Sequence, residues 1–299
     1  MQKQSVPSAR RWTITKVIHW ATSYFKTHAI DSPRLTAEIL LAHALHCERL
    51  DLYLNYDQPL SAAELSAFKI LIKRRINHEP VAYILGTKEF WSLDIEVTRD
   101  VLIPRPETEC LVEAALEILS QDFSVSSKRI LDLGTGSGAI VLALSQQHPG
   151  HIYFASDLSL KAAELARKNA QRHKLSKHVH LLAGDWFAPM NPVTTGFDMI
   201  VSNPPYIPSH GISELQAEIY RYEPVAALDG DTDGLACYKK IIGSAHLYLN
   251  SGGIMLLEIG HDQKDDVQRI AFECGQYEDI RFKKDYSGYD RVVSMRMRT

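Results

Sequence analysis

Short, mostly apolar runs alternate with stretches of helical periodicity from residue 128 onward. Such runs between helices are typical of buried strands in a parallel sheet that has helices on both faces. Only residues 283–291 separate the last two runs, and this spacing predicts an antiparallel hairpin at the C-terminal end. We therefore predict an α/β fold with a doubly wound, mostly parallel, seven-stranded sheet. The predicted strands lie within 130–133, 152–155, 179–182, 197–201, 254–257, 280–282 and 292–297.

The front of the chain carries a helical pattern instead. Apolar residues recur at helical spacing between Val17 and Phe25, and Ser32-Pro33 predicts an N-cap followed by proline at the first helical position. The segment Ser61-Ala62-Ala63-Glu64 has the spacing of a capping box. Residues 1–80 are predicted to form a small helical domain.

Residues 81–106 differ from both neighbours and are predicted to be a β-hairpin linker. Glu89–Val97 alternates well enough to form one strand, and Val101–Ile103 is predicted to form its partner. Two prolines then end the extended pattern. The α/β domain is accordingly predicted to span residues 107–299.

Composition and charge exclude several classes of protein. The net charge of −3 and the pI near 6.5 do not suggest phosphate neutralisation, so no direct DNA binding is expected. The first 80 residues carry 11 Lys+Arg against 7 Asp+Glu, an excess more typical of a solvated helix surface than of a nucleic-acid site. Four widely spaced cysteines favour reduced thiols without a metal site, and hence a cytoplasmic protein. The N-terminus lacks the apolar stretch of a secretion signal, and no run is long enough to predict a membrane span.

A glycine-rich turn follows the first predicted strand of the sheet. Glycine lets the backbone approach a ligand closely, and the helix after the turn presents its N-terminal amides to polar groups. On the turn alone, a methyltransferase, a dinucleotide enzyme and a purely structural turn all stay open, because Ala139 also completes a G-x-G-x-x-A pattern. The candidate cofactor-binding residues in the turn are Gly134, Thr135, Gly136, Ser137 and Gly138.

Acidic and aromatic residues end the next two predicted strands. Asp157 can accept hydrogen bonds from both hydroxyl groups of a ribose, although a simple helix N-cap is the alternative. Asp185 can accept a hydrogen bond from the amino group of an adenine, and the flat indole of Trp186 can pack on the adenine ring. A turn with one buried aromatic residue is the alternative for this pair.

The tetrad Asn203-Pro204-Pro205-Tyr206 follows the fourth predicted strand and indicates the chemistry. A nitrogen conjugated to a carbonyl group or a ring is a poor nucleophile, so an enzyme must orient it and accept its N–H protons. The Asn203 side-chain oxygen and the Pro204 carbonyl are two such acceptors, and the prolines hold them rigidly. Tyr206 offers a face on which a planar amide or base can stack, and which favours a nearby sulfonium.

Other functions account for part of this pattern. An adenine N6-methyltransferase acting on DNA or RNA would use the same tetrad on a flipped base. The acidic catalytic half and the lack of a long basic insertion argue against it. A dehydrogenase gives the tetrad no role, and a binding protein on a methyltransferase scaffold would not need the complete set of candidate residues.

Five further segments accompany the turn and the tetrad, and with them the chain resembles the peptide chain release factor glutamine N5-methyltransferases from about residue 12 to its end. By this resemblance the first ten residues are an extra tail. The tetrad is shared with adenine N6-methyltransferases, so the specificity lies in the segments around Glu89 and Arg105. One departure, Asp231 where the family often has a second glycine after Gly230, bears only on a local loop. The five segments are Pro80–Gly86, Glu89–Trp91, Leu102–Glu109, Glu223-Pro224 and Asp233–Leu235.

The resemblance implies the fold of S-adenosylmethionine-dependent methyltransferases. It implies transfer of a methyl group from S-adenosylmethionine to the side-chain amide nitrogen of glutamine in the Gly-Gly-Gln motif of class 1 release factors. It also implies that Gly134–Gly138, Asp157, Trp186 and Asn203 contact the cofactor. Asn203–Tyr206 would hold the substrate glutamine, and the helical front domain would help to dock the release factor.

Overall fold

The computed structural model describes residues 11–121 and 126–299. The predicted N-terminal tail, residues 1–10, lies outside the described residues. The chain divides into two units, Met1–Gly86 and Thr87–Thr299. The first is helical and the second contains the sheets, which is the predicted order of a helical part ahead of an α/β part.

Amphipathic helices build the first unit around a core of its own. The four apolar positions that recur between Val17 and Phe25 are buried, as predicted. The Ser61 hydroxyl accepts from the Glu64 N–H while the Glu64 carboxylate accepts from the Ser61 N–H, which confirms the capping box. Ser32 precedes the helix as predicted, but its backbone is left-handed (φ 45°) and its side chain makes no capping hydrogen bond. The helices are α1 (Ile14–Thr27), α2 (Pro33–Leu45), α3 (Arg49–Leu54), α4 (Ala62–Ile76) and α5 (Val81–Leu85).

An antiparallel hairpin opens the second unit, with β1 (Thr87–Phe90) paired to β2 (Leu93–Glu96). The prediction of one strand across Glu89–Val97 is wrong, because Trp91 and Ser92 turn the chain there with φ 51° and 59°. Hairpin turns with left-handed φ at both central residues usually carry Asn or Gly. The Trp-Ser pair therefore gave no turn signal in the sequence.

The segment after the hairpin is not a strand. Val101–Ile103 is predicted to pair within the hairpin but forms no strand. Instead, the Ile103 N–H donates to the Glu223 carboxylate at 3.3 Å. A short 3-10 turn, Pro106–Thr108, then leads into α6 (Glu109–Gln121).

The main sheet has seven strands in the part of the chain that the structure describes, and each contains a run that the sequence predicts as a strand. The strands are β3 (Arg129–Leu133), β4 (Ile152–Asp157), β5 (Val179–Ala183), β6 (Phe197–Ser202), β7 (Leu249–Glu258), β8 (Tyr277–Lys284) and β9 (Asp290–Met297). Their order is β5-β4-β3-β6-β7-β9-β8. Neighbours are parallel from β5 to β7, and β9 is antiparallel to both β7 and β8. This topology confirms the predicted sheet and its antiparallel end.

Helices connect the strands and cover the sheet. The helix before β7 ends at Ala245, and Leu249 begins β7 and pairs with Phe197. No helix in the described ranges combines the length and the apolar character needed to cross a bilayer. The helices of this part are α7 (Ala139–Gln147), α8 (Leu160–Arg172), α9 (Ala217–Tyr220), α10 (Ala236–Ala245) and α11 (Lys264–Cys274).

The strand order determines where a ligand can bind. β3 lies between β4 and β6, with Leu133 paired to Ser156 on one side and to Ser202 on the other. In open parallel sheets, ligands bind beyond the carboxyl ends of the strands at the point where the strand order reverses. The glycine turn after β3, Asp157 at the end of β4 and Asn203 after β6 all lie at this edge.

Candidate active site

A cavity of about 370 Å³ lies at the edge where β3, β4 and β6 end. This volume suits a site for a small molecule. Gly138, Pro204 and Tyr206 do not contribute to its wall, among the residues described. The candidates that line it are Gly134, Thr135, Gly136, Ser137, Asp157, Asp185, Trp186, Asn203 and Pro205.

The three glycines of the turn have left-handed backbones but different surroundings. At Gly136 (φ 57°) a Cβ atom would meet nothing within 4 Å, so the backbone there borders open space. At Gly138 (φ 86°) a Cβ atom would come within 3.2 Å of the Ala166 Cβ atom on α8. Gly136 thus exposes backbone to the cavity, whereas Gly138 permits close packing of the turn against a helix.

The Asp157 carboxylate is held by backbone amides. One oxygen accepts from the Gly136 N–H and the other from the Ser159 N–H, each at 2.8 Å. Burial raises the pKa of Asp157 above its usual value, and these two hydrogen bonds oppose the rise. Each carboxylate oxygen keeps capacity for another donor. The side chain on the cavity wall therefore suits the hydroxyl groups of a ribose.

Asp132, just before the turn, is fully buried and does not line the cavity. Its Oδ2 atom accepts from the Thr135 hydroxyl at 2.6 Å, and its Oδ1 atom has no hydrogen-bond partner. Burial is the main cause that raises the pKa of Asp132 to about 7, and the nearby charge of Asp157 adds to the rise. Asp132 therefore holds the turn in place through its hydrogen bond with Thr135 and does not itself line the cavity.

Trp186 lies against the glycine turn. A Cβ atom at Gly134 would be 3.7 Å from the indole ring, and Trp186 itself has a left-handed backbone (φ 45°). Asp185 lines the same cavity beside it. A flat ring next to a carboxylate suits an adenine that offers both a face and an amino group.

A second cavity of about 170 Å³ adjoins the first, and all four residues of the Asn203–Tyr206 tetrad line it. Asn203, Pro205 and Arg105 line both cavities. The Asn203 Nδ2 group donates to the Thr108 hydroxyl oxygen at 3.1 Å. No group within the described ranges donates to the Asn203 Oδ1 atom or to the Pro204 carbonyl. Both oxygens therefore remain available to a ligand.

Hydrogen bonds from behind hold the end of the tetrad. The Gln263 side-chain amide donates to the Tyr206 carbonyl at 3.0 Å, while its Oε1 atom accepts from the Gly260 N–H at 3.0 Å. Burial raises the pKa of Tyr206, and the nearby Glu258 carboxylate raises it further. Tyr206 is thus a neutral phenol that lines the second cavity only.

Three residues around the tetrad were not predicted from the sequence. Thr108 bonds to Asn203, Gln263 bonds to Tyr206, and Glu223 forms an ion pair with Arg105 at 2.5 Å. Burial raises the pKa of Glu223, and the Arg105 guanidinium opposes that rise. Thr108 and Glu223 lie in two of the five segments that resemble the family, and this was the only indication of their importance in the sequence. Gln263 lies in none of them.

Comparisons with known proteins agree with this geometry. The family model described as the PrmC N-terminal domain matches residues 16–86, and that of the methyltransferase small domain matches residues 110–219. The release factor glutamine methyltransferase of Geobacter sulfurreducens is 42% identical over 286 residues, which are 96% of this chain and 97% of that protein. Its counterpart in Rhodopirellula baltica is 38% identical over 285 residues, covering 95% and 96%.

A solved methyltransferase from Pyrococcus furiosus shares the fold, with a TM-score of 0.50 and 18% identity over 77% of this chain and 97% of its own. The sheet order and the cavity at the carboxyl ends of β3, β4 and β6, together with these matches, define the protein as a methyltransferase. The extent of the identity to the two curated relatives goes further. The chain belongs to the release factor glutamine methyltransferase family.

Proposed function

We propose that this chain transfers a methyl group from S-adenosylmethionine to the side-chain amide nitrogen of the glutamine in the Gly-Gly-Gln motif of class 1 release factors. The observation that carries the proposal is the wall shared by the two cavities, which contains Asn203 and Pro205. A methyl donor in the larger cavity and an amide in the smaller one would meet at these residues.

The larger cavity suits S-adenosylmethionine. Asp157 would accept the ribose hydroxyl groups, Trp186 and Asp185 would take the adenine, and the backbone from Gly134 to Ser137 would approach the remainder of the cofactor. S-adenosylmethionine supplies, when bound, an electrophilic methyl group on a positively charged sulfur.

The tetrad would act on the second substrate. Asn203 Oδ1 and the Pro204 carbonyl would accept the two N–H groups of the glutamine amide, which fixes its plane and draws electron density toward its nitrogen. The face of Tyr206 would pack on the amide. Pro204 and Pro205 restrict the backbone, so the two acceptors need no rearrangement when the amide arrives. Orientation of the amide then supplies much of the rate enhancement.

The substrate assignment rests on the family, because the same tetrad could also grip the amino group of an adenine. The relatives from Geobacter sulfurreducens and Rhodopirellula baltica carry the name release factor glutamine methyltransferase, and their likeness spans both units of this chain. In this proposal the helical unit helps to dock the release factor, DNA is not a ligand, and the enzyme works in the cytoplasm.

Incubation with methyl-labelled S-adenosylmethionine and separate pools of release factor, DNA and RNA tests the proposal. We expect label on the release factor alone, and no label on a release factor whose motif glutamine is replaced by alanine. Label on DNA or RNA, with none on the release factor, would favour the adenine N6 activity instead.

A further inference from the structure

Thr108 contacts Asn203 from outside the tetrad. It ends the short 3-10 turn before α6, is 4% exposed, and lies 95 residues away from Asn203 along the chain. Its hydroxyl oxygen is 3.1 Å from the Asn203 Nδ2 atom. Thr108 also lines the larger cavity, so the pair lies beside the reaction site rather than in the remote core.

A buried carboxylate determines the direction of this hydrogen bond. Glu258, at the end of β7, is 1% exposed, and its Oε2 atom has no hydrogen-bond partner among the described residues. Burial raises the pKa of Glu258 to about 7, and the nearby hydroxyl groups of Thr108 and Tyr206 oppose this rise. Above that pH its carboxyl group is ionised and can only accept, whereas a hydroxyl group has one proton to donate. When the Thr108 proton points at Glu258, the lone pairs of its oxygen remain for the Asn203 Nδ2 group.

The two ends of the Asn203 carboxamide are chemically opposite. If the side chain turned over, its NH₂ group would face the NH₂ group of a substrate amide, and two donors would oppose each other. A partner that accepts only from the NH₂ end prevents this reversal. Thr108 accepts from the Asn203 Nδ2 group, and it is such a partner when its own proton is directed at ionised Glu258.

The turn that carries Thr108 is itself anchored on both sides. Before it, Arg105 forms an ion pair with Glu223 at 2.5 Å. After it, the Glu109 carboxylate accepts the Trp91 N–H at 2.9 Å. These contacts fix the position of Thr108 relative to the tetrad.

We propose that Thr108 is a positioning residue, which holds the Asn203 carboxamide with its oxygen toward the substrate amide. This role rests on the proposed function, because it assigns Asn203 Oδ1 to the substrate. In this role Thr108, which belongs to the Leu102–Glu109 segment, acts through Asn203 and binds neither the cofactor nor the substrate.

Two substitutions separate orientation from packing. Thr108→Val keeps the shape but removes the hydroxyl group, whereas Thr108→Ser keeps the hydroxyl group but removes the methyl group. We expect Thr108→Val to lower kcat on the release factor about tenfold, the typical effect of one hydrogen bond, with the cofactor Kd nearly unchanged. Thr108→Ser should remain within about twofold of the wild type in kcat. Wild-type kcat in Thr108→Val, or a greater loss in Thr108→Ser, would overturn the proposal.

A spectroscopic measurement tests the orientation without any substrate. The side-chain NH₂ signal of Asn203 in a ¹H–¹⁵N spectrum can be assigned through its loss in Asn203→Asp. Its exchange with water should be slow in the wild type and in Thr108→Ser, and faster in Thr108→Val. Equal exchange in all three proteins would refute the role of Thr108. If wild-type enzyme fails to label a release factor, the proposed function fails, whereas this measurement still decides whether Thr108 holds the amide.

Discussion

Asn203 is the residue at which the two cavities and the Thr108 hydrogen bond meet. We predict that Asn203→Ala lowers the single-turnover rate of methyl transfer roughly a hundredfold, because it removes one preorganised acceptor. The affinity for S-adenosylmethionine should fall much less. Rapid-quench kinetics and titration calorimetry measure the two quantities separately.

Asn191→Ala is a suitable control for this substitution, because Asn191 is exposed and lies outside both cavity walls. It should leave both the rate and the affinity close to those of the wild type. An equal loss of rate and of cofactor affinity in Asn203→Ala would indicate a structural role for the tetrad instead.

Asp132 predicts a pH dependence of stability. Burial raises the pKa of its carboxyl group to about 7 in the folded protein, whereas an unfolded chain has an aspartate pKa of about 3.9. Between these values the folded state binds more protons than the unfolded state, so this group makes stability fall as the pH rises through the window. In Asp132→Asn, the free energy of unfolding should therefore fall less between about pH 4 and pH 7, which is the window between the two pKa values.

Urea denaturation at several pH values checks this prediction. Glu258 remains in the variant, and burial raises its pKa to about 7 as well, so part of the pH dependence should persist. The exposed position Asp262 provides the control substitution, Asp262→Asn. If Asp132→Asn and Asp262→Asn follow the wild-type pH profile alike, Asp132 does not carry the predicted penalty.

At the scale of elements, Gly234 supports the tetrad loop. Its backbone is left-handed (φ 74°), and a Cβ atom there would approach the Tyr206 carbonyl to 2.5 Å and the Gln263 Nε2 atom to 2.9 Å. Gly234→Ala should therefore displace the end of the tetrad and weaken its hydrogen bond to Gln263. We expect a loss of methyl transfer of about tenfold or more, beyond any loss of stability.

Gly275 at the end of α11 is the matched control for Gly234, because it has a similar backbone (φ 70°) and free space around the missing Cβ atom. Gly275→Ala should cost about 1 kcal/mol of stability through backbone strain alone, with activity retained. Thermal melts and kcat measurements on both variants separate the two effects. Equal activity of the two variants would show that Gly234 is needed only for its backbone conformation.

The strands of the main sheet could be predicted because each is a short apolar run between helices, and the runs around Ile130 and Ile200 lie within the observed β3 and β6. Their ends also indicated where the glycine turn, Asp157 and Asn203 would lie. The hairpin turn at Trp91-Ser92 was missed, because its backbone conformation lacks the residues that normally adopt it.

The contacts that support the tetrad could not be predicted from local patterns. Thr108 and Asn203 are 95 residues apart, and Tyr206 and Gln263 are 57 residues apart. Periodicity and capping signals report on neighbours within a few residues. Only the fold brings these side chains together, so a sequence motif indicates the tetrad but not what holds it.

At the scale of the whole molecule, the two units have separate cores. The helical unit packs around residues such as Phe25 and Leu41, and the sheet unit around residues such as Phe197 and Leu257. We predict that deletion of residues 1–86 leaves S-adenosylmethionine binding within about twofold, because the residues that line the larger cavity all lie in the second unit. Methyl transfer to an intact release factor should fall at least about tenfold through a higher KM.

A short peptide that contains Gly-Gly-Gln is the control substrate for this deletion. Such a peptide is too short to offer a second docking site, so full-length and truncated enzyme should use it at similar rates. Undiminished activity of the truncated enzyme on the intact release factor would contradict a docking role for the helical unit.

Identification of the methylated atom tests the central claim most directly. After reaction with S-adenosylmethionine, digestion of the release factor and tandem mass spectrometry locate the added methyl group. We predict a single methyl group on the side-chain nitrogen of the glutamine in the Gly-Gly-Gln motif, and its formation roughly a hundredfold more slowly when Asn203→Ala replaces the wild-type enzyme. A methyl group on any other atom, or an unmodified release factor beside a methylated adenine, would contradict the account.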